Sequence, residues 1–152
     1  MAVVFVGASV FDGVRLHDRA ALVVDAGRVV SIVPPDEAPE GERVLLRGGV
    51  VAPGFVDLQV NGGGGVMLGE RPGVAEIAAI CVAHGRLGTL GLLPTLITDT
   101  PAVTREVIEA GVAAAGAVPG FLGLHLEGPH LDPRRKGAHD PALIRPMGDD
   151  DL

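Results

Sequence analysis

Strand-like and helix-like periods alternate through the later part of the chain, and this alternation limits the fold more than any other feature. The runs "GFVDLQVNG" at 54–62, "TLGLLPTLIT" at 89–98 and "GFLGLHLEGP" at 120–129 read as strands. Between the first two, Val74, Ile77, Ala78, Cys81 and Val82 fall at helical spacing, with Gly88 as a stop. Between the second pair, Val103, Val107, Ala110 and Ala114 line one helical face that ends at Gly116. Thr100 is placed as N-cap there, with Pro101 at the first helical position. Strand, helix, strand, helix, strand predicts a parallel sheet in an α/β fold.

The earlier residues read differently. "VVFVGASVF" and "ALVVDAGRVVSIV" are Val-rich runs, with a hairpin turn expected at Asp25-Ala26-Gly27. "PPDEAPEGE" is a polar connection, and "RVLLRGGVVAPG" returns to strand. The expected organisation is therefore a small β domain over 1–52 and a βα segment over 53–152.

The strand faces carry the functional signal. In the first βα strand, Val56, Leu58 and Val60 are expected on one face and Asp57, Gln59 and Asn61 on the other. In the third, Leu122, Leu124 and Leu126 oppose Gly123, His125 and Glu127. Parallel strands buried on both faces are apolar throughout, so polar groups gathered toward the strand ends call for a reason. Glu127, a hard oxygen donor at a strand end, suits a divalent metal ion. His125 reads either as a satisfied core histidine or as part of the same site. His139, after "RRKGA", reads as a solvated loop residue unless a site claims it. His130 reads as structural or exposed, His84 as a favourable group late in a helix, and His17 carries no signal. "NGGGGV" lacks the lysine of a phosphate loop and reads as a tight, adaptable loop at the site's mouth. "RRK" at 134–136 reads as solvated, with an anionic substrate as the alternative.

The net charge of −7 among 152 residues disfavours nucleic acid as a partner. One cysteine, Cys81, excludes an internal disulfide and fits a reducing compartment. The N-terminus lacks the pattern of a signal peptide, and no apolar stretch is long enough to span a membrane. The expectation is a soluble, cytoplasmic protein.

"VAPGFVDLQVNG" resembles the opening strand of the amidohydrolase superfamily, in which a small β domain precedes a (β/α)8 barrel. "HLEGPHLDPRRKGAHDPALIR" and "LLPTLITD" more sharply resemble the N-acetylglucosamine-6-phosphate deacetylase family. The resemblance implies a partial TIM-like (β/α)8 barrel preceded by a small β-sandwich-like domain, in the N-terminal portion of a longer enzyme. It implies Glu127 as a metal ligand, Ala138 and His139 as substrate contacts, and His125, Gln59 and Asn61 as site lining or support for the ligand. Gln59 and Asn61 stand where many amidohydrolases carry a His-x-His pair, which implies one divalent ion, zinc before iron. The general base is expected beyond residue 152. The implied reaction is hydrolysis of the acetamide of an amino-sugar phosphate, in an enzyme expected to be a homo-oligomer at full length. The alternatives are another amidohydrolase acting on a cyclic or acyl amide, or a non-catalytic fragment.

Overall fold

A computed structural model describes residues 1–151, and the chain divides into two compact units, Met1–Pro53 and Gly54–Leu152. In the first unit, β1 (Val3–Phe11) pairs antiparallel with β2 (Leu16–Asp25), which pairs antiparallel with β3 (Arg28–Val33). The turn between β2 and β3 falls at Ala26 and Gly27, with φ of 48° and 74°. These positive angles are those of the tight hairpin turns that match strand twist. On its other side β1 pairs in parallel with β4 (Glu42–Leu45) and β5 (Val50–Val51).

All five strands thus belong to one sheet with β1 inside it, so the unit is not the sandwich-like pair of layers expected. Both later strands pair with β1, and among the described residues no second sheet faces the first. Val4, Ala21 and Val23 form one buried cluster, and Val10, Ala20 and Leu22 another. A register shift between Phe5 and Ala8 lets β1 bend where β4 approaches it. Gly7 sits in that bulge at φ 93°, and a Cβ there would lie 2.3 Å from the Leu46 carbonyl oxygen. Only glycine fits.

In the second unit, β6 (Phe55–Val60), β7 (Thr89–Ile97) and β8 (His125–Glu127) pair in parallel in that spatial order. Helix α1 (Val74–Gly85) joins β6 to β7, and α2 (Pro101–Ala114) follows β7. The expected α/β alternation is present. Thr100 caps α2 by accepting a hydrogen bond from the Val103 N–H at 3.3 Å, and Pro101 opens the helix. Val107, Ala110, Gly111 and Ala114 form its buried face. The buried residues of α1 are Ile77, Ile80 and Cys81, a stripe rotated from the expected one, and the helix stops at Gly85 before Gly88 is reached. Val82 is exposed, whereas Ile80 is fully buried. These side chains pack with Val60, Leu92 and Leu96 in one core. Full burial of Ile77, Ile80 or Leu92 contributes roughly 1.5–3 kcal/mol each.

Two expectations about strand phase fail. Register shifts on both sides of Val56-Asp57 break the two-residue alternation of β6. Val60 is 3% exposed, whereas Val56 and Leu58 are 61% and 63% exposed. The third run is strand only over His125–Glu127, because Gly123 at φ 149° interrupts it. No helix among the described residues is long and apolar enough to cross a membrane.

Two tests follow from these contacts. Ile77→Ala should lower stability by about 2–5 kcal/mol in urea denaturation; a loss under about 1 kcal/mol would mean that α1 is not seated on β7 as described. In the first unit, the Asp12 carboxyl is held well below its usual range by the His17 ring at 2.6 Å, and further by the Arg15 and Val14 N–H groups. Its folded pKa lies below its unfolded one, so its contribution is present above the usual carboxylate range and is lost as pH falls. Between about pH 5 and pH 2 the urea midpoint should drop less steeply in Asp12→Asn than in the native chain. Equal slopes would remove Asp12 from the acid sensitivity.

Candidate active site

The last residues of β6, β7 and β8 lie at one edge of the parallel sheet, because their ladders run in one direction. Beyond that edge come the glycine-rich loop at 62–65, Thr98 after β7, and Gly128 after β8. Thr98 joins the polar groups there. Its hydroxyl donates to the Glu127 carbonyl oxygen at 3.2 Å, and its N–H donates to His139 Nδ1, also at 3.2 Å. His139 Nδ1 lies 2.8 Å from the same hydroxyl.

A backbone N–H can only donate, so Nδ1 of His139 accepts and Nε2 carries the proton. That Nε2 lies 3.4 Å from Glu127 Oε1. His139 is 9% exposed and the Glu127 side chain 31%, so the histidine is enclosed while the carboxylate keeps an open side. The loop histidine is therefore not solvated; the fold-back of its loop onto Thr98 buries it.

His125 is tied to the strand on the far side of the sheet. Its Nδ1 donates to the Leu58 carbonyl oxygen at 3.1 Å, across the intervening strand β7. Where the ladder is broken, the Val60 N–H turns instead to Thr95 Oγ1 at 2.9 Å, and Thr95 pairs in register with His125. In β8, His125 and Glu127 stand two positions apart, so both lie on one face of the strand.

The remaining candidates are less engaged. Gln59 and Asn61 are exposed, and Gln59 contributes its N–H to Asp57 Oδ1 at 3.1 Å. Ala138 is exposed beside the buried His139. Arg134 and Arg135 are exposed, and Arg134 is paired with Asp132 at 2.8 Å. Three contributors were not expected: Thr95, Thr98 and His84. His84 donates from Nε2 to the Gly62 carbonyl oxygen at 2.9 Å and so anchors the glycine-rich loop. The signal for the two threonines lies in "LLPTLIT", where hydroxyls interrupt an otherwise apolar run and demand partners once buried.

Among the described residues, no group of three or more His, Cys, Asp or Glu side chains is placed to hold a metal ion. The donor chemistry agrees. His139 accepts at Nδ1 and carries its proton on Nε2, so neither of its nitrogens is a metal donor, whereas His125 donates from Nδ1 and keeps a lone pair on Nε2; Glu127 and His125 Nε2 are the donors that remain. These residues alone do not fit a complete metal centre, which typically needs about three protein ligands.

Among solved structures, N-acetylglucosamine-6-phosphate deacetylase from Pasteurella multocida superposes with a TM-score of 0.91 at 31% identity, over 99% of this chain and 40% of that one. This chain corresponds to the N-terminal portion of the N-acetylglucosamine-6-phosphate deacetylases. The Mycobacterium smegmatis deacetylase, in a mutant form complexed with N-acetyl-D-glucosamine-6-phosphate, superposes with a TM-score of 0.78 at 30% identity, over 99% of this chain and 38% of that one. A Shewanella sp. (strain ANA-3) protein named N-acetylgalactosamine-6-phosphate deacetylase is 35% identical over 143 residues, 91% of this chain. The chain spans 36% of that curated relative's length. No family model matches the chain.

Thr98 reaches the Glu127 carbonyl only because residue 128 has no side chain. A Cβ on Gly128 would lie 2.1 Å from Thr98 Oγ1, and the backbone there has φ of 92°. Gly128→Ala should therefore cost on the order of 1–3 kcal/mol in urea denaturation. An unchanged midpoint would show that the contact between Thr98 and the β8 end can relax freely.

Proposed function

We propose that this chain forms part of a hydrolase that removes the acetyl group from N-acetylglucosamine 6-phosphate, releasing acetate and glucosamine 6-phosphate. The observation that carries this reading is the Glu127–His139–Thr98 cluster at the strand ends, within a segment similar to deacetylases over nearly its whole length. In this reading, residues 53–152 are the first part of a (β/α)8 barrel and residues 1–52 its small β domain. Catalytic groups of such barrels gather at the C-terminal strand ends, where Glu127 lies.

Each residue then has a definite task. The open side of Glu127 would give one carboxylate ligand to a divalent ion, zinc before iron, with the other ligands outside the described residues. Such an ion polarises a carbonyl and acidifies bound water. His139, with Nε2–H facing the Glu127 carboxylate, would fix the sugar beside it, together with Ala138. This is a positioning role, in which correct placement of the reacting groups lowers the barrier. His125, held on Leu58, would keep the β8 end in place, and Gln59 and Asn61 would line the space opposite. A general base expected beyond residue 152 would take a proton from water as its oxygen adds to the amide carbonyl, and would return that proton to the leaving nitrogen as the C–N bond breaks. A cytoplasmic location, a homo-oligomeric full-length enzyme and the absence of nucleic-acid partners complete the reading.

A second reading concerns the sugar. The relative matched over 91% of the chain carries a galactosamine name, so the epimer at C4 is the competing substrate. Acetate release from both sugar phosphates by a longer protein containing this chain distinguishes them by their kcat/KM ratio. In that protein, Glu127→Ala should lose bound metal by elemental analysis and cut activity by more than about 100-fold, since a direct ligand should matter more than the outer-shell groups whose loss costs 10–100-fold. Unchanged metal content would remove Glu127 from the ligand set. The 152-residue chain with added zinc or iron should show no turnover approaching about 1 s⁻¹; turnover at that rate would mean that this chain carries its own base and ligands.

A further inference from the structure

His139 reaches Thr98 from within a loop whose two ends meet. The Arg145 N–H donates to the Pro129 carbonyl oxygen at 3.1 Å, and His130 Nδ1 donates to the Arg145 carbonyl oxygen at 3.1 Å. Asp151 sits on the same junction. Its carboxylate accepts from Arg145 Nη1 at 2.6 Å and from the Gly148 N–H at 2.8 Å, and lies 3.7 Å from His130 Nε2. The Arg145 guanidinium holds the Asp151 carboxyl well below its usual range, so the carboxylate stays charged wherever the protein is folded near neutral pH.

The loop between these ends has little of its own to hold it. Asp132, Pro133, Arg134, Arg135, Gly137, Ala138, Asp140, Pro141 and Ala142 are all exposed. Its internal bonds are local turns, such as His139 N–H to the Lys136 carbonyl and Leu143 N–H to the Asp140 carbonyl. Such turns shape the loop but do not fix where it lies. A polar loop with closed ends explores far fewer positions than one with open ends.

We propose that His130 and Arg145, joined through Asp151, are positioning residues that close the base of loop 130–145 and so hold His139 on Thr98 beside Glu127. This rests on the reading of His139 as a substrate-positioning group, but its test does not depend on turnover. The N–H of Thr98 donates to the His139 ring across 41 residues of chain, so its hydrogen exchange reports whether His139 is seated. Arg134, Arg135 and Lys136 offer trypsin three cleavage sites inside the loop.

In the full chain, His130→Ala and Asp151→Asn should each speed Thr98 amide exchange on the order of tenfold and hasten tryptic cleavage at 134–136. Amides of Val107 and Ala110 in α2 should stay protected. His130→Asn, whose side-chain nitrogen can stand where Nδ1 stands, should restore slow exchange. Unchanged exchange at Thr98 in both variants overturns the proposal. So does equal acceleration at Thr98, Val107 and Ala110, which would make the junction a general support and not a positioning device. A clasp that passes this test in a protein that releases no acetate would refute the deacetylase reading alone.

Discussion

The burial of β7 is the constraint on which the second unit depends. Leu92 and Leu96 of this strand meet Ile77, Ile80 and Val107 in one apolar core, while β6 and β8 flank it on either side. A strand with neighbours on both edges has no spare hydrogen-bonding edge, so its own polar side chains must find partners nearby. Thr95 does so with the broken ladder of β6, and Thr98, the residue just past the strand, does so with the end of β8 and the loop beyond. The threonines thus turn a packing element into the organiser of the polar cluster.

That organisation explains why a carboxylate survives beside an enclosed histidine. Burying Glu127 completely would carry a large desolvation cost. The strand end leaves one side of it open, and the His139 Nε2–H faces it from the enclosed side. The pair is a donor against an acceptor and not two competing metal donors.

Much of this was legible in the sequence, and the losses have physical causes. The order of strands and helices, the Thr100 cap, the α2 face and the Ala26-Gly27 turn were all readable, because each is set by neighbours within a few residues. The phase of β6 was not, because two register shifts reset an alternation that periodicity assumes to be continuous. The single sheet of the first unit was hidden for a related reason: pairing partners are chosen across the chain, and Val-rich runs say little about which strand they join. The burial of His139 depended on a loop returning to a residue 41 positions earlier, and no local pattern carries that information. Glu127 stood out because a charge at the end of an apolar run needs an explanation wherever the chain goes.

Four histidines in the second unit share one habit: His84, His125, His130 and His139 each bond a main-chain atom, at Gly62, Leu58, Arg145 and Thr98 respectively. Those docking points persist whatever side chain the partner residue carries, provided the backbone keeps its course. The ring positions are therefore encoded by chain path more than by the identity of their neighbours. Drift in composition around the site can proceed far without moving the imidazoles. A one-residue insertion or deletion between 58 and 62, or in the stretch from 128 to 145, would shift several at once.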